Sequence, residues 1–173
     1  NRKTKTIYPD NTFITMEYGE DCGCAINNRK PTKMIDQLGK VTRYKYDQNG
    51  NRRLTVYPNN GENSVVYDYN ENISRINDVR GFVTKYKYDH RDRITNTLYP
   101  DGTWESLEYD YANNIVKSKN SLGQEYTYSY DANNRQTNIV DQDGNKLVAV
   151  YDKNGNLVST TNYDGTSKRF SYT

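Results

Sequence analysis

One segment decides the fold of this chain: residues 40–50, which read Lys-Val-Thr-Arg-Tyr-Lys-Tyr-Asp-Gln-Asn-Gly. Its first seven residues alternate, with Tyr44 and Tyr46 on one side and basic side chains on the other. A period of two with one apolar side is typical of a half-buried antiparallel β-strand. The aspartate that follows can accept hydrogen bonds from backbone amides two residues on, and the final glycine supplies a positive φ. The segment therefore predicts a strand that runs into a tight turn.

The Tyr-Asp pair at the end of that strand recurs every 21 residues. Its copies are Tyr46-Asp47, Tyr67-Asp68, Tyr88-Asp89, Tyr109-Asp110, Tyr130-Asp131 and Tyr151-Asp152. Tyr172 lies at the next position of this grid, and Tyr18 is an earlier copy in which Gly19 replaces the aspartate. Because a catalytic residue does not need six copies, the repetition predicts a structural unit. Each tyrosine closes a strand on the packed face, and each aspartate opens the turn.

A second marker lies on another 21-residue grid. Its members are Gly39, Asn60, Gly81, Gly102, Gly123, Gly144 and Gly165. After glycine, asparagine is the residue that adopts positive φ most readily, so Asn60 fits the series. Asn11 fills the same place in the first, partial repeat. The grid therefore predicts a left-handed turn residue and no role for its side chain.

A second strand follows each Tyr-Asp turn, and its apolar residues are three apart, as in Ile73 and Ile76. That spacing breaks strict alternation and predicts a β-bulge within the strand. Glu71 and Asp92 occupy the last position of two of the turns, where glycine or asparagine stands elsewhere. The turn geometry is therefore expected to differ between copies.

Two short turns in every repeat favour antiparallel hairpins over the coils of a parallel β-helix. The predicted fold is all-β, a repeat ribbon of antiparallel hairpins with about seven repeats and about 14 strands. Residues 1–173 are predicted to form a single array of these repeats. A ribbon of this width is expected to curl into a spiral or open shell segment, with tyrosines on its inner face.

The grid is interrupted once, because Tyr18 and Tyr46 are 28 residues apart and the repeat is 21 (28 − 21 = 7 extra). An insertion loop on one edge is predicted at residues 20–34. It contains Cys22 and Cys24, which are too close in sequence for an easy disulfide and supply at most half of a zinc site. Free thiols are the simpler interpretation. Since the chain begins within a repeat, we expect it to be a piece of a longer protein.

Composition argues against several classes of function. Hydrophobic residues make up 33% of the chain and the 18 tyrosines supply a large part of them, so amphipathic rings must provide much of the burial. The net charge is +2, with 24 basic and 22 acidic residues interspersed, which indicates neither nucleic-acid binding nor attraction to an anionic membrane. No apolar run approaches the ~20 residues of a membrane span.

The two markers together resemble the YD repeat of Rhs proteins. One half of the unit reads Tyr-Asp-x-x-Gly-Asn, as at residues 46–51 and 151–156, and the other reads Asp-x-x-Gly-x-x-x-x-Tyr-x-Tyr-Asp, as at residues 36–47. The resemblance covers nearly the whole chain outside residues 20–34. Relatives of this kind include Rhs polymorphic toxins, wall-associated proteins, the B and C components of Tc toxins, and teneurins.

The resemblance implies a β-shell or scaffold that encloses or presents an effector domain, in a large bacterial protein that is secreted or exposed at the cell surface. The implied partner is the remainder of the same longer chain, including a C-terminal effector. The Asp-Pro-x-Gly boundary at which an effector is released is missing here, since Pro58 and Pro100 follow tyrosine. Self-cleavage and toxin activity are therefore not carried over to this chain.

The residues themselves predict no catalysis, no cofactor and no metal site. Asp141-Gln142-Asp143-Gly144 has the look of a calcium loop, but its glycine comes at position 4 instead of 6 and no glutamate follows at the required distance. A non-catalytic structural segment is the first hypothesis.

The alternative is a module that binds carbohydrate or protein at a surface. Aromatic side chains give contact area at low entropic cost, which suits stacking against sugars and peptides. The candidate ligand-binding residues are Trp104, Tyr86, Tyr126 and Tyr128. The simpler interpretation is that the tyrosines form the cross-strand core, while Trp104 packs at an edge.

Overall fold

The structure is a computed structural model that describes residues 2–19 and 30–173. The strands of the described residues are β1 (Lys5–Ile7), β2 (Phe13–Glu17), β3 (Lys33–Ile35), β4 (Val41–Tyr46), β5 (Arg52–Val56), β6 (Glu62–Tyr67), β7 (Ile73–Asn77), β8 (Val83–Tyr88), β9 (Ile94–Leu98), β10 (Trp104–Tyr109), β11 (Ile115–Asn120), β12 (Glu125–Tyr130), β13 (Gln136–Asp141), β14 (Lys146–Tyr151), β15 (Leu157–Thr161) and β16 (Ser167–Arg169). Within each of the two units described below, their order in the sheet is their order in the chain, and they pair antiparallel. The all-β prediction is confirmed. The described residues form 16 strands instead of about 14, because the partial first repeat contributes β1 and β2.

Two compact units divide the chain, residues 1–86 and residues 87–173. Within each unit, the described strands contact only their neighbours in the chain, so each unit is a single layer of sheet. No large side chain of the described residues is fully buried. This agrees with the shortage of aliphatic residues in the sequence.

The Tyr-Asp turn is a three-residue hairpin loop, in which a type I turn is followed by a left-handed residue. In the first regular copy, the amide of Asp47 donates to the carbonyl of Asn51 at 2.9 Å, and the amide of Gly50 donates to the carbonyl of Asp47 at 3.1 Å. The aspartate side chain completes the loop, since its Oδ1 accepts from the amides of Asn49 and Asn51 at 3.0 and 2.8 Å. One carboxylate oxygen therefore satisfies two amides that the ladder leaves unpaired.

This cap recurs in both turns of the repeat. In the Tyr-Asp turns it is formed by Asp68, Asp89, Asp110, Asp131 and Asp152. In the glycine turns it is formed by Asp36, Asp78, Asn120 and Asp141. The turns at the two ends of the strands therefore share one local geometry.

The left-handed conformation predicted for the glycine grid is confirmed. Its six glycines have φ between +76° and +86°, and Asn60 has φ +62°. The expectation that the Tyr-Asp turns differ among themselves is wrong, because Glu71 and Asp92 have φ +67° and +59°. The hydrogen bonds of the loop require a left-handed residue at this position whatever its side chain. For Glu71 that conformation costs about 1 kcal/mol, since its Cβ approaches the neighbouring carbonyl.

The bulge predicted in the second strand is confirmed. Val66 pairs with Arg75, but the next residue, Tyr67, pairs with Ile73. Ser74 is the extra residue between these two pairs. The same shift occurs on the 21-residue grid, where the extra residues are Arg53, Val116, Thr137 and Val158. The bulge explains the spacing of three, because it places Ile73 and Ile76 on one side of the sheet.

Each unit has a tyrosine face and a charged face. The tyrosine face is the side that carries the tyrosines of the Tyr-x-Tyr-Asp strands, and the charged face is the opposite side. Strand β12 shows the difference: Tyr126, Tyr128 and Tyr130 are half-buried, whereas Thr127 and Ser129 between them are exposed. The side chains that can interact with one another are therefore fixed by the register.

The insertion predicted at residues 20–34 extends too far. Lys33–Ile35 forms β3, which pairs with β2 and β4 and lies 21 residues before residues 54–56 of β5. Regular repeat structure thus resumes before Lys33, and the extra residues precede it. Cys22 and Cys24 lie outside the described residues.

Candidate functional site

The tyrosine of the Tyr-Asp pair ties its strand to the strand before it. Its hydroxyl donates to a backbone carbonyl 15 residues earlier, and we call this hydrogen bond the tyrosine tether. Tethers join Tyr18 to Lys3 (2.8 Å), Tyr46 to Pro31 (2.9 Å), Tyr67 to Arg52 (3.1 Å), Tyr109 to Ile94 (2.8 Å), Tyr130 to Ile115 (2.8 Å) and Tyr172 to Leu157 (2.9 Å). Burial raises the pKa of Tyr67, Tyr109 and Tyr130, so these hydroxyls keep their protons. Each tether supplies a contact between neighbouring strands that the backbone ladder does not provide.

A second recurring contact comes from the residue four positions after each Tyr-Asp aspartate, which we call the closing residue. Arg93 is the fullest example. Its Nε and Nη2 lie 2.8 and 2.7 Å from Oδ2 of Asp89, and its Nη1 donates to the carbonyl of Asp110 at 2.8 Å. Its guanidinium also lies 4.5 Å from the centre of the Tyr109 ring, a cation–π distance. One side chain thus contacts its own turn and the turn and tyrosine of the following repeat.

Other closing residues repeat parts of this arrangement. Arg135 lies 2.6 Å from Asp131 and 4.6 Å from the ring of Tyr151, and it donates to the next turn. Lys30 follows no Tyr-Asp pair but lies 21 residues before the closing residue Asn51, and its ammonium is 5.7 Å from the centre of the Tyr46 ring. We call the row of Tyr-Asp turns and closing residues within one unit the turn ladder.

An asparagine can serve in the turn ladder through its amide. Asn114 donates from Nδ2 to Asp110 at 2.9 Å and to Asn134 of the following turn at 3.0 Å. Asn156 donates to Asp152 at 2.9 Å. Asn114 and Asn156 therefore make the same contact to their own aspartate as Arg93 and Arg135 do.

In the unit of residues 87–173, the turn ladder lowers the pKa of its aspartates and so favours their ionised form. The hydrogen bond from Arg93 is the main cause that lowers the pKa of Asp89, to about 2. The same kind of bond from Arg135 lowers the pKa of Asp131, and one from Asn156 lowers the pKa of Asp152. These carboxylates are committed to backbone amides and to the closing residue, which suits a structural role better than proton transfer.

The predicted ligand-binding residues do not form one surface. Trp104 pairs with Leu98 on the charged face of its unit, where it is half-buried. Tyr126 and Tyr128 lie side by side on the tyrosine face of the same unit. Tyr86 belongs to the unit of residues 1–86, where it is half-buried in β8. The structure brings together only Tyr126 and Tyr128.

Those two tyrosines line a depression of about 300 Å³ on the tyrosine face. Its other lining residues on that face are Glu105, Leu107, Ser118, Asn120 and Gln124, and Ser106 and Lys119 of the charged face also border it. The hydroxyls of Ser118 and Tyr128 are 2.9 Å apart. Glu105, Ser118 and the closing residues are absent from the sequence prediction, although a comparison of residues at each position of the 21-residue grid could have revealed them.

The described part of the chain shows no group of three His, Cys, Asp or Glu residues placed to hold a metal ion. Among residues 2–19 and 30–173 there is also no helix long and apolar enough to cross a membrane.

Tandem antiparallel hairpins, joined to one another by a recurring tyrosine, define a β-repeat protein. Residues 109–146 match the family model of the RHS repeat. The match confirms the resemblance to YD/Rhs repeats over these residues, which carry the repeat of that family. No curated protein matches the chain.

Solved structures of Tc toxin assemblies share its fold. The crystal structure of TcdB2-TccC3 matches with a TM-score of 0.64 and 16% identity, over 94% of this chain and 10% of that one. The Photorhabdus luminescens Tc holotoxin pore matches with a TM-score of 0.62 and 17% identity, over 89% of this chain and 9% of that one. The TcdB2-TccC3-Cdc42 crystal structure also matches with a TM-score of 0.62 and 17% identity, over 78% of this chain and 8% of that one. The chain therefore spans at most a tenth of the length of these chains.

Proposed function

We propose that this chain is a non-catalytic structural segment of a larger, secreted or surface-exposed bacterial YD/Rhs-repeat protein. In that protein, residues 1–173 form one repeat array within a β-shell or scaffold that encloses or presents an effector domain. The observation that carries the proposal is the tyrosine tether, because it places the most frequent motif of the chain in strand-to-strand contacts.

The single layer of each unit supports a wall-like role. A one-layer sheet leaves both faces in contact with whatever surrounds it, and in each unit the two faces differ in character. The tyrosine face is amphipathic and half-buried, and such a face gains free energy when further protein covers it. The charged face carries interspersed charges that favour contact with water, for example Lys117 paired with Glu125 at 2.8 Å.

The comparisons support the idea of a segment. Most of this chain aligns with at most a tenth of each Tc toxin chain, as a short part of a long wall would. The proposed partner is accordingly the rest of the same protein, including the effector.

Hydroxyl-radical footprinting of the isolated chain and of its full-length parent tests the proposal. In the parent, we expect Leu107 and Tyr126 of the tyrosine face to react less than in the isolated chain. Tyr69 and Tyr111 serve as controls, because their side chains are 101% and 88% exposed in the turns and should react equally in both samples. Equal reactivity of the tyrosine face in both samples would contradict the proposal that this face is covered inside the shell of the full-length protein.

A further inference from the structure

The depression on the tyrosine face lies where one grid position carries an unusually small residue, Ser118, whose hydroxyl is 2.9 Å from that of Tyr128. Ser118 lies opposite Leu107 on one neighbouring strand and opposite Tyr126 on the other. At the same grid position the other repeats have Met34, Thr55, Ile76, Thr97, Ile139 and Thr160. Serine is the smallest of these residues, so it leaves space that a branched or longer side chain occupies elsewhere.

A carboxylate stands beside this space. Glu105 pairs with Thr97 and Asn120, which places its side chain on the tyrosine face. The corresponding residues of the other regular repeats are Thr42, Asn63, Thr84, Tyr126, Leu147 and Lys168. Glu105 is therefore the only acidic residue of this series, and it stands on a face made mostly of aromatic, aliphatic and small polar side chains.

This carboxylate has no cationic partner among residues 2–19 and 30–173. It accepts a hydrogen bond from the Tyr99 hydroxyl at 2.9 Å. By contrast, Glu125 on the charged face binds Lys117 at 2.8 Å and Lys119 at 3.4 Å. Since a carboxylate binds a cation more strongly than a hydroxyl, Glu105 retains capacity for a cation from outside.

Aromatic rings complete the chemistry of an organic-cation site. Tyr126 and Tyr128 are two residues apart on one strand, so their rings share a wall of the depression. The face of a tyrosine ring attracts ammonium and guanidinium groups, as Arg93 over Tyr109 shows within this same unit. The volume of about 300 Å³ lies at the lower end of the range for ligand pockets and admits a single extended side chain.

We propose that this depression binds an alkylammonium or guanidinium group, such as the end of a lysine or arginine side chain or a free amine. Glu105 would form the ion pair, the rings of Tyr126 and Tyr128 would make cation–π contacts, and the small side chain of Ser118 leaves volume for the bound group. An anion would be repelled by Glu105. The proposal concerns the chain by itself and does not depend on the shell.

Titration of the ¹⁵N-labelled chain, followed by NMR chemical shifts, tests the site. The probes are N-acetyl-lysine methylamide, the matching arginine derivative and n-butylammonium, and the neutral control is N-acetyl-norleucine methylamide. We expect the cationic probes to shift the amides around Ser118 and Tyr126 in a saturable manner, and the neutral control to bind at least tenfold more weakly. Tighter binding of the amino-acid derivatives than of n-butylammonium would identify a polypeptide side chain as the source.

Two variants and one control separate the parts of the site. Glu105→Gln keeps the shape and removes the charge, and it should weaken binding at least tenfold. Ser118→Ile should abolish binding and preserve the fold, because Ile76 and Ile139 occupy that grid position in other repeats. Glu108→Gln, on the charged face of the same strand, should leave binding unchanged.

Equal binding of cationic and neutral probes, or unchanged affinity in Glu105→Gln, would overturn the proposal. Glu105→Gln decides the matter by itself if Ser118→Ile does not fold.

Discussion

Replacement of Tyr130 by phenylalanine isolates the tyrosine tether. The substitution removes one atom, the hydroxyl oxygen that donates to the carbonyl of Ile115 at 2.8 Å, and leaves the ring in place. A hydrogen bond of this kind contributes about 0.5–1.5 kcal/mol net, and its loss here leaves a partly buried carbonyl without that donor. We expect Tyr130→Phe to lower the free energy of unfolding by about 1 kcal/mol. In a chain of this length that corresponds to a fall in Tm of roughly 2–4 °C.

Urea denaturation followed by circular dichroism, together with thermal melts, measures the effect. Tyr111→Phe is the matched control, because the Tyr111 side chain is 88% exposed in a turn and makes no tether; its Tm should remain within about 1 °C of the parent chain. Equal stability of Tyr130→Phe and Tyr111→Phe would refute the reasoning. It would mean that the tyrosines act by ring packing alone.

Four other substitutions in the turns give further predictions. Glu71→Gly should raise the free energy of unfolding by about 1 kcal/mol in urea denaturation, because φ at this position is +67°. Gly123→Ala should lower it by a similar amount, because φ there is +82°. Effects of the opposite sign would show that the turns do not require the left-handed conformation. Arg135→Asn should keep the bond to its own turn but lose the stacking on the next tyrosine, and the same denaturation should show a loss of about 0.5–1 kcal/mol. Because Arg93 lowers the pKa of Asp89 from 3.8 to about 2, this carboxylate stabilises the fold above pH 3.8 and the contribution is lost as pH falls through about 2. Acid titrations of Asp89→Asn should show a shallower loss of stability in this range, and an unchanged acid limb would contradict the assignment.

The periodic part of the structure follows from the sequence because the same requirement is met in every copy. The strand faces, the left-handed turn positions and the bulge each produce a residue preference that recurs at a fixed spacing. An exceptional residue in one copy therefore does not obscure the pattern. Asn60 supports this pattern, because it has a left-handed φ of +62° at a grid position where the other copies have glycine.

Glu71 and Asp92 show where the prediction failed. Local propensity argues against positive φ for these residues, but the hydrogen bonds of the hairpin loop impose it, so tertiary context overrides preference. The end of the insertion was misplaced for a related reason. Lys33–Ile35 has no alternating pattern of its own, and only its pairing with β2 and β4 makes it a strand.

The candidate site depends on exceptions to the repeat, which periodicity does not predict. Tyr126 and Tyr128 are visible in the sequence as part of the tyrosine series, whereas Trp104 has the same aromatic character but faces the other side of the sheet. Ser118 and Glu105 gain significance only when the register places them beside the two tyrosines.

The central claim is that the 21-residue repeat is an antiparallel hairpin whose Tyr-Asp pair closes one strand and opens the next turn. The most direct test is the set of cross-strand contacts between backbone protons, measured by NMR as nuclear Overhauser effects. We predict that residue 118 shows contacts to both residues 107 and 126, in antiparallel register. Residues 109 and 130, which are one repeat apart, should show none, because they lie two strands apart at roughly 10 Å. Strong backbone contacts between residues 21 apart, as in a parallel coil with strands about 4.8 Å apart, would contradict the account.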